Sequence, residues 1–128
     1  LTAPDCLERR EGFLAAMNRR GEVTTAADVL CLDWELQDIR AWWETQPPHT
    51  AIICWSERSA GVLLDRFAEI GVRVPQDVSV VGFDSTAYCE TTKPRMTAVR
   101  QPIFEMAALA TQTLLDLIQG LRPNQSSF

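Results

Sequence analysis

Asp84 is the residue best placed for chemistry in this sequence, because it closes the apolar run Val78, Val80, Val81 and Phe83 with a carboxylate. A short run of β-branched and aromatic residues reads as a strand covered on both faces. In open α/β sheets, ligands meet the chain beyond the carboxyl ends of such strands. A carboxylate there either accepts hydrogen bonds from a polar ligand or caps the segment that follows, and residue type and position leave both open. Arg9 and Glu57 could join Asp84 in acid–base work, but no nucleophile, metal set or cofactor loop accompanies the three. The one histidine, His49, sits in Pro-Pro-His-Thr. Cys6, Cys31, Cys54 and Cys89 contain no C-x-x-C pair, so neither a zinc site nor a Ser-His-Asp triad is expected. G-x-G-x-x-G, G-x-x-x-x-G-K-[ST] and G-x-S-x-G are also absent, which leaves dinucleotide, P-loop and esterase chemistry without support. The expectation is a binding protein with no catalytic residue, cofactor or metal.

The elements that must position Asp84 are punctuated clearly. Gly71 follows a segment with Ala60, Leu63, Leu64 and Phe67 at helical spacing; glycine readily takes the left-handed conformation that closes a helix, and Pro75 cannot continue one. Upstream, Leu7, Phe13, Leu14 and Met17 predict a helix ending at Gly21. Strands are predicted at 28–34 and 50–55, with a helix over 35–45 between them that ends at Pro47 and Pro48. Downstream, 85–94 is polar and irregular, 96–101 is a strand candidate, and Pro102 opens a helix that Gly120 and Pro123 end. Strands and helices therefore alternate, as crossover units in a parallel sheet require.

Composition fits one soluble globular unit: 128 residues, 46% hydrophobic and 23% charged. Twelve basic against seventeen acidic side chains give a net charge of −5, which opposes non-specific attraction to a phosphate backbone, so this segment is not expected to be a DNA-binding surface itself. No apolar run is long enough for a membrane helix, no signal sequence opens the chain, and scattered cysteines within apolar runs fit free thiols in a reducing cytoplasm.

Two blocks, GVRVPQDVSVVGFD at 71–84 and TKPRMTAVRQP at 92–102, resemble the effector-binding core of the LacI/GalR family of bacterial transcription regulators. The resemblance implies a periplasmic binding protein-like type I fold, α/β, in which a three-layer parallel sheet carries helices on both faces. It covers part of that domain: 7–83 as the C-terminal subdomain, 84–95 as a crossover, and 96–120 as a strand and helix belonging to the N-terminal subdomain. It further implies that Arg9, Trp34, Ser56 and Asp84 bind a sugar or related polar effector: Arg9 as a fork of donors, Trp34 as a stacking surface and Asp84 as an acceptor. Ser56-Glu57 stands where the family has Asn-Asp, a departure that alters the pocket floor. Arg58, Gly61, Val62, Ala87, Tyr88 and Thr92 match a family surface that forms a homodimer. The implied function is allosteric control of operator binding, with DNA reached through a headpiece outside this chain. An extracytoplasmic sugar receptor of a transporter and a small α/β enzyme are the alternatives. The apolar stripe at 103–118 should face a subdomain outside this chain. It is therefore expected to fold back on its own sheet, to pair with another copy or to exchange between chains.

Overall fold

A computed structural model of the chain describes residues 4–24, 28–30, 38–45 and 49–121. Among these, the order is helix α1 (Pro4–Arg19), helix α2 (Ile39–Thr45), strand β1 (Ala51–Ile53), helix α3 (Glu57–Ile70), strand β2 (Ser79–Asp84), a 3-10 turn (Ala87–Glu90), strand β3 (Thr97–Arg100) and helix α4 (Ile103–Ile118). The three strands form one parallel sheet in the order β1-β2-β3, with Ile52 opposite Val80, Gly82 opposite Ala98 and Asp84 opposite Arg100.

Helix α3 is where local sequence and core meet. Ser56 Oγ accepts the Ser59 amide at 3.1 Å and so caps its start, while Gly71, at φ 82°, closes its end. Between these caps Ala60, Leu63, Leu64 and Phe67 are buried against Val78 and Val80 of the β2 segment, and Ile39, Trp42 and Cys54 complete the cluster. Full burial of a side chain such as Leu63 or Phe67 contributes on the order of 1.5–3 kcal/mol. The turn between α3 and β2 is fastened by Asp77, which accepts the Arg73 amide at 2.8 Å and two guanidinium nitrogens at 3.0 and 2.6 Å. That bidentate closure is the physical content of the V-P-x-D-V pattern.

Alternation along the strands divides the sheet. Ile52, Val80, Gly82 and Ala98 share the α3 face, leaving Ile53, Val81, Phe83 and Val99 on the other. Over this second face α1 makes one specific approach, with the Arg9 guanidinium 5.0 Å from the centre of the Phe83 ring.

Three expectations are corrected. Residues 28–30 are not a strand, and the rest of the expected strand 28–34 lies outside the described residues. The strand expected over 50–55 is confined to 51–53, because Ser56 turns the chain to cap α3. Beyond residue 96 the sheet continues, with strand β3 paired to β2 through four residues. Finally, α4 does not fold back on the sheet: none of its residues is buried, and Phe104 and Ile118 are 81% and 72% exposed. Its charged and amide side chains Glu105, Gln112 and Asp116 occupy one narrow stripe, and apart from Thr111 and Thr113 the rest of the helix is apolar, a pattern normally covered by protein on most sides.

Candidate functional site

The carboxyl ends of β2 and β3 open onto a cleft of about 620 Å³, bounded by Asp84, Ser85, Thr86, Arg100, Gln101 and the start of α4. The backbone turns sharply there: Asp84 and Ser85 have φ of 88° and 54°, two successive non-glycine residues in the left-handed region. Such conformations cost on the order of 1–3 kcal/mol each and persist where surrounding contacts over-determine them, which is common at ligand sites.

Those contacts converge on one oxygen. Gln101 Nε2 donates to Asp84 Oδ1, and Arg9 Nη2 lies 3.8 Å from the same atom. Arg9 Nη1 donates to the Trp55 carbonyl at the end of the β1 segment, so one guanidinium ties α1 to two strand ends. Because Asp84 is only partly buried, its ion pair with Arg9 contributes little to stability, of order 0–1 kcal/mol. Its consequence is orientation: the carboxylate is held at the cleft by a cation and an amide, with further acceptor capacity for a polar ligand.

The structure thus brings Arg9 and Asp84 together. Neither Arg9 nor Ser56 is among the residues bounding the cleft: Arg9 reaches it through Asp84, whereas Ser56 is buried with its Oγ spent on the α3 cap. Trp34 lies outside the described residues. Gln101 is a site residue that sequence reasoning missed: only the strand register, with Asp84 opposite Arg100, brings the next residue of R-Q-P beside the Asp84 carboxylate.

Glu57 acts on the same loop from the helix side. Its carboxylate accepts the Thr86 amide at 2.8 Å, the Thr86 hydroxyl and the Cys89 thiol at 3.2 Å. Burial pushes this carboxyl up, but the Thr86 hydroxyl, the Thr86 amide and the Cys89 thiol together hold it below the usual range. The Cys89 thiol is pushed up to about 11 by burial and then by Glu57, and Cys54 is pushed up to about 12 by burial, with a partly opposing hydrogen bond from Ser59. Both are poor nucleophiles. Among the described residues no group of three or more His, Cys, Asp or Glu side chains could hold a metal ion, and no helix is long and apolar enough to cross a membrane.

Of the six residues expected at a dimer surface, Arg58, Ala87 and Tyr88 are exposed, while Val62 and Thr92 are half-buried. Gly61 departs from the expectation of an exposed contact. It is buried beneath Tyr88 of the same chain, and a Cβ there would fall 2.1 Å from the phenol oxygen.

The chain matches the periplasmic binding protein-like domain family over residues 5–127. It is 30% identical to the HTH-type transcriptional repressor PurR of Vibrio vulnificus over 96% of this chain and 38% of that protein. It is 31% identical to the repressor CytR of Escherichia coli over 91% of this chain and 36% of that one. Among solved structures, a complex of the transcriptional regulator CelR with cellobiose superposes with a TM-score of 0.77 at 27% identity, covering 89% of this chain and 36% of that one. A LacI-family regulatory protein from Chloroflexus aggregans gives 0.78 over 91% of this chain and 44% of that one; at 24% identity it speaks for the fold alone. The chain therefore spans less than two fifths of the curated relatives' length, and those relatives are transcription regulators rather than enzymes. Parallel sheet, strand-end cleft and matches over nearly the whole chain agree: this chain belongs to the periplasmic binding protein-like family, as a partial-length member of the LacI-type effector-binding domains.

Proposed function

We propose that the chain is the ligand-sensing part of a LacI-type transcription regulator, in which a sugar-like effector bound at the strand-end cleft changes how a cytoplasmic homodimer holds its operator. One observation carries this reading: the Asp84 carboxylate, set in a left-handed turn, is aimed at an open cleft by Arg9 and Gln101. A carboxylate and a guanidinium together offer the acceptor and the paired donors that vicinal hydroxyls require. CelR was solved with cellobiose, which supports a sugar as the ligand class here. Ser56 supports the helix that carries Glu57 rather than touching the effector. Arg58, Val62, Ala87, Tyr88 and Thr92 form the proposed surface between copies, with Gly61 as the seat of Tyr88. Residues 7–83, 84–95 and 96–120 keep their proposed roles as subdomain, crossover and return segment, with β3 paired to β2. The larger protein would contact DNA through a headpiece outside this chain.

The test is titration calorimetry on the protein with a panel of mono- and disaccharides, cellobiose and lactose included, in the parent and in Asp84→Asn. The expected result is binding of at least one sugar, weakened tenfold or more by the substitution, as the loss of a charge-assisted hydrogen bond would give, roughly. Binding of no sugar, or equal binding by Asp84→Asn, would refute the assignment.

A further inference from the structure

We propose that Glu57 is the positioning residue of this cleft: by holding Thr86 and Cys89, its carboxylate fixes the Asp84–Ser85 turn and so the direction of the Asp84 acceptor. Three observations lead there. Both Glu57 oxygens are engaged, Oε2 by the Thr86 amide at 2.8 Å and the Cys89 thiol at 3.2 Å, Oε1 by the Thr86 hydroxyl. These bonds span 29 and 32 residues of sequence and bolt the start of α3 to the segment that leaves β2.

The second observation is where the strain lies. Asp84 and Ser85, both at positive φ, sit between two anchors, with Gln101 and Arg9 on Asp84 itself and Glu57 on Thr86 immediately after the turn. Release of either anchor lets the turn relax toward common backbone angles, and the carboxylate swings with it.

Third, the carboxylate's own base sits close over β2: a Cβ on Gly82 would be 3.1 Å from Glu57 Cα, so the start of α3 lies directly on the strand whose end it clamps. Aspartate at 57 would fall short of Thr86 by about one carbon–carbon bond, ~1.5 Å. Glutamate is therefore fitted to this span, and the Ser-Glu pair divides two tasks: Ser56 starts the helix and Glu57 sets the cleft loop. The consequence for ligand affinity rests on the cleft reading proposed above; the clamp itself can be measured with no ligand present.

The experiment is amide and side-chain hydrogen exchange by NMR on the full chain, comparing the parent with Glu57→Ala, Glu57→Asp and Glu57→Gln. Three reporters suffice: the Thr86 amide, the Gln101 side-chain amide bonded to Asp84, and the Cys54 amide bonded to the Val81 carbonyl in the sheet. The expected result is exchange at least about tenfold faster for Thr86 and clearly faster for Gln101 in the Ala and Asp variants, partial recovery in Gln, and no change at Cys54. Faster exchange at Thr86 with Gln101 unchanged would overturn the proposal, because the turn would then hold without the clamp. An equal rise at all three would overturn it as well, since the role would be general stability. If Glu57→Ala fails to fold, Glu57→Gln supplies the same three-reporter comparison. A cleft that binds no sugar would leave these rates as they are, so the two readings fail separately.

Discussion

Replacing Gly82 with alanine adds one methyl group at a close approach of sheet and helix, and its cost can be worked from the neighbours. The new Cβ would meet Met96 Sδ at 2.9 Å, Glu57 Cα at 3.1 Å and Ala60 Cβ at 3.3 Å. Ordinary carbon–carbon contact begins near roughly 3.5 Å, so each distance falls short by a few tenths of an ångström or more. The methionine tip can swing away, but Glu57 Cα and Ala60 Cβ belong to α3 and move only if the helix does. Overpacking of this kind costs about 1–3 kcal/mol. For a chain of this size that lowers the melting temperature by roughly 4 °C per kcal/mol, so a fall of about 4–12 °C is expected by circular dichroism or calorimetry. Gly12→Ala is the matched control. Gly12 lies inside α1 with nothing within 4 Å of an added Cβ, so the same methyl should raise helix stability by up to ~1 kcal/mol. Equal melting temperatures for Gly82→Ala and the parent would refute the claim that α3 is seated on bare β2 backbone.

Two further outcomes follow from the packing and the turn. Leu63→Ala, at a fully buried position, should cost about 2–5 kcal/mol in urea unfolding, whereas Leu117→Ala on the uncovered α4 should cost under roughly 0.5 kcal/mol; similar values would contradict the burial described. Side-chain and then backbone hydrogen bonds from Arg73 hold the Asp77 carboxyl down at about 2, below its ordinary 3.8. A lowered folded-state value means the stabilisation is present in full above about 4 and is lost as pH falls from there toward 2. Urea midpoints should drop over that window in the parent and less steeply in Asp77→Asn; parallel curves would contradict the assignment.

The legible part of the fold was the part written in local chemistry. Gly71 announced a left-handed helix end and takes φ 82°, and the α3 stripe announced the residues that fill the core. Asp84 was legible because a charge that closes an apolar run marks the point where a buried strand meets solvent. What stayed hidden depends on what stands beside what. Gln101 is an ordinary polar residue until the β2–β3 register puts it next to Asp84, and Glu57 reads as a helix-start acid until Thr86 is seen across the gap. Gly61 looked like a surface position, since nothing local says that Tyr88 will lie over it. The strand assignment at 28–34 shows the converse limit: apolar runs invite a strand reading, yet residues 28–30 turn instead.

Tyr88 is the sequence's single tyrosine, and it rests on the one backbone stretch of α3 that a glycine leaves bare. Its ring therefore gives the one phenol signal of the chain, assignable by its spin system among the other aromatic rings. Lifting of the 87–90 turn from the helix, whether by a ligand in the cleft or by a second copy at the surface, would register as a change in that one resonance without any label being introduced.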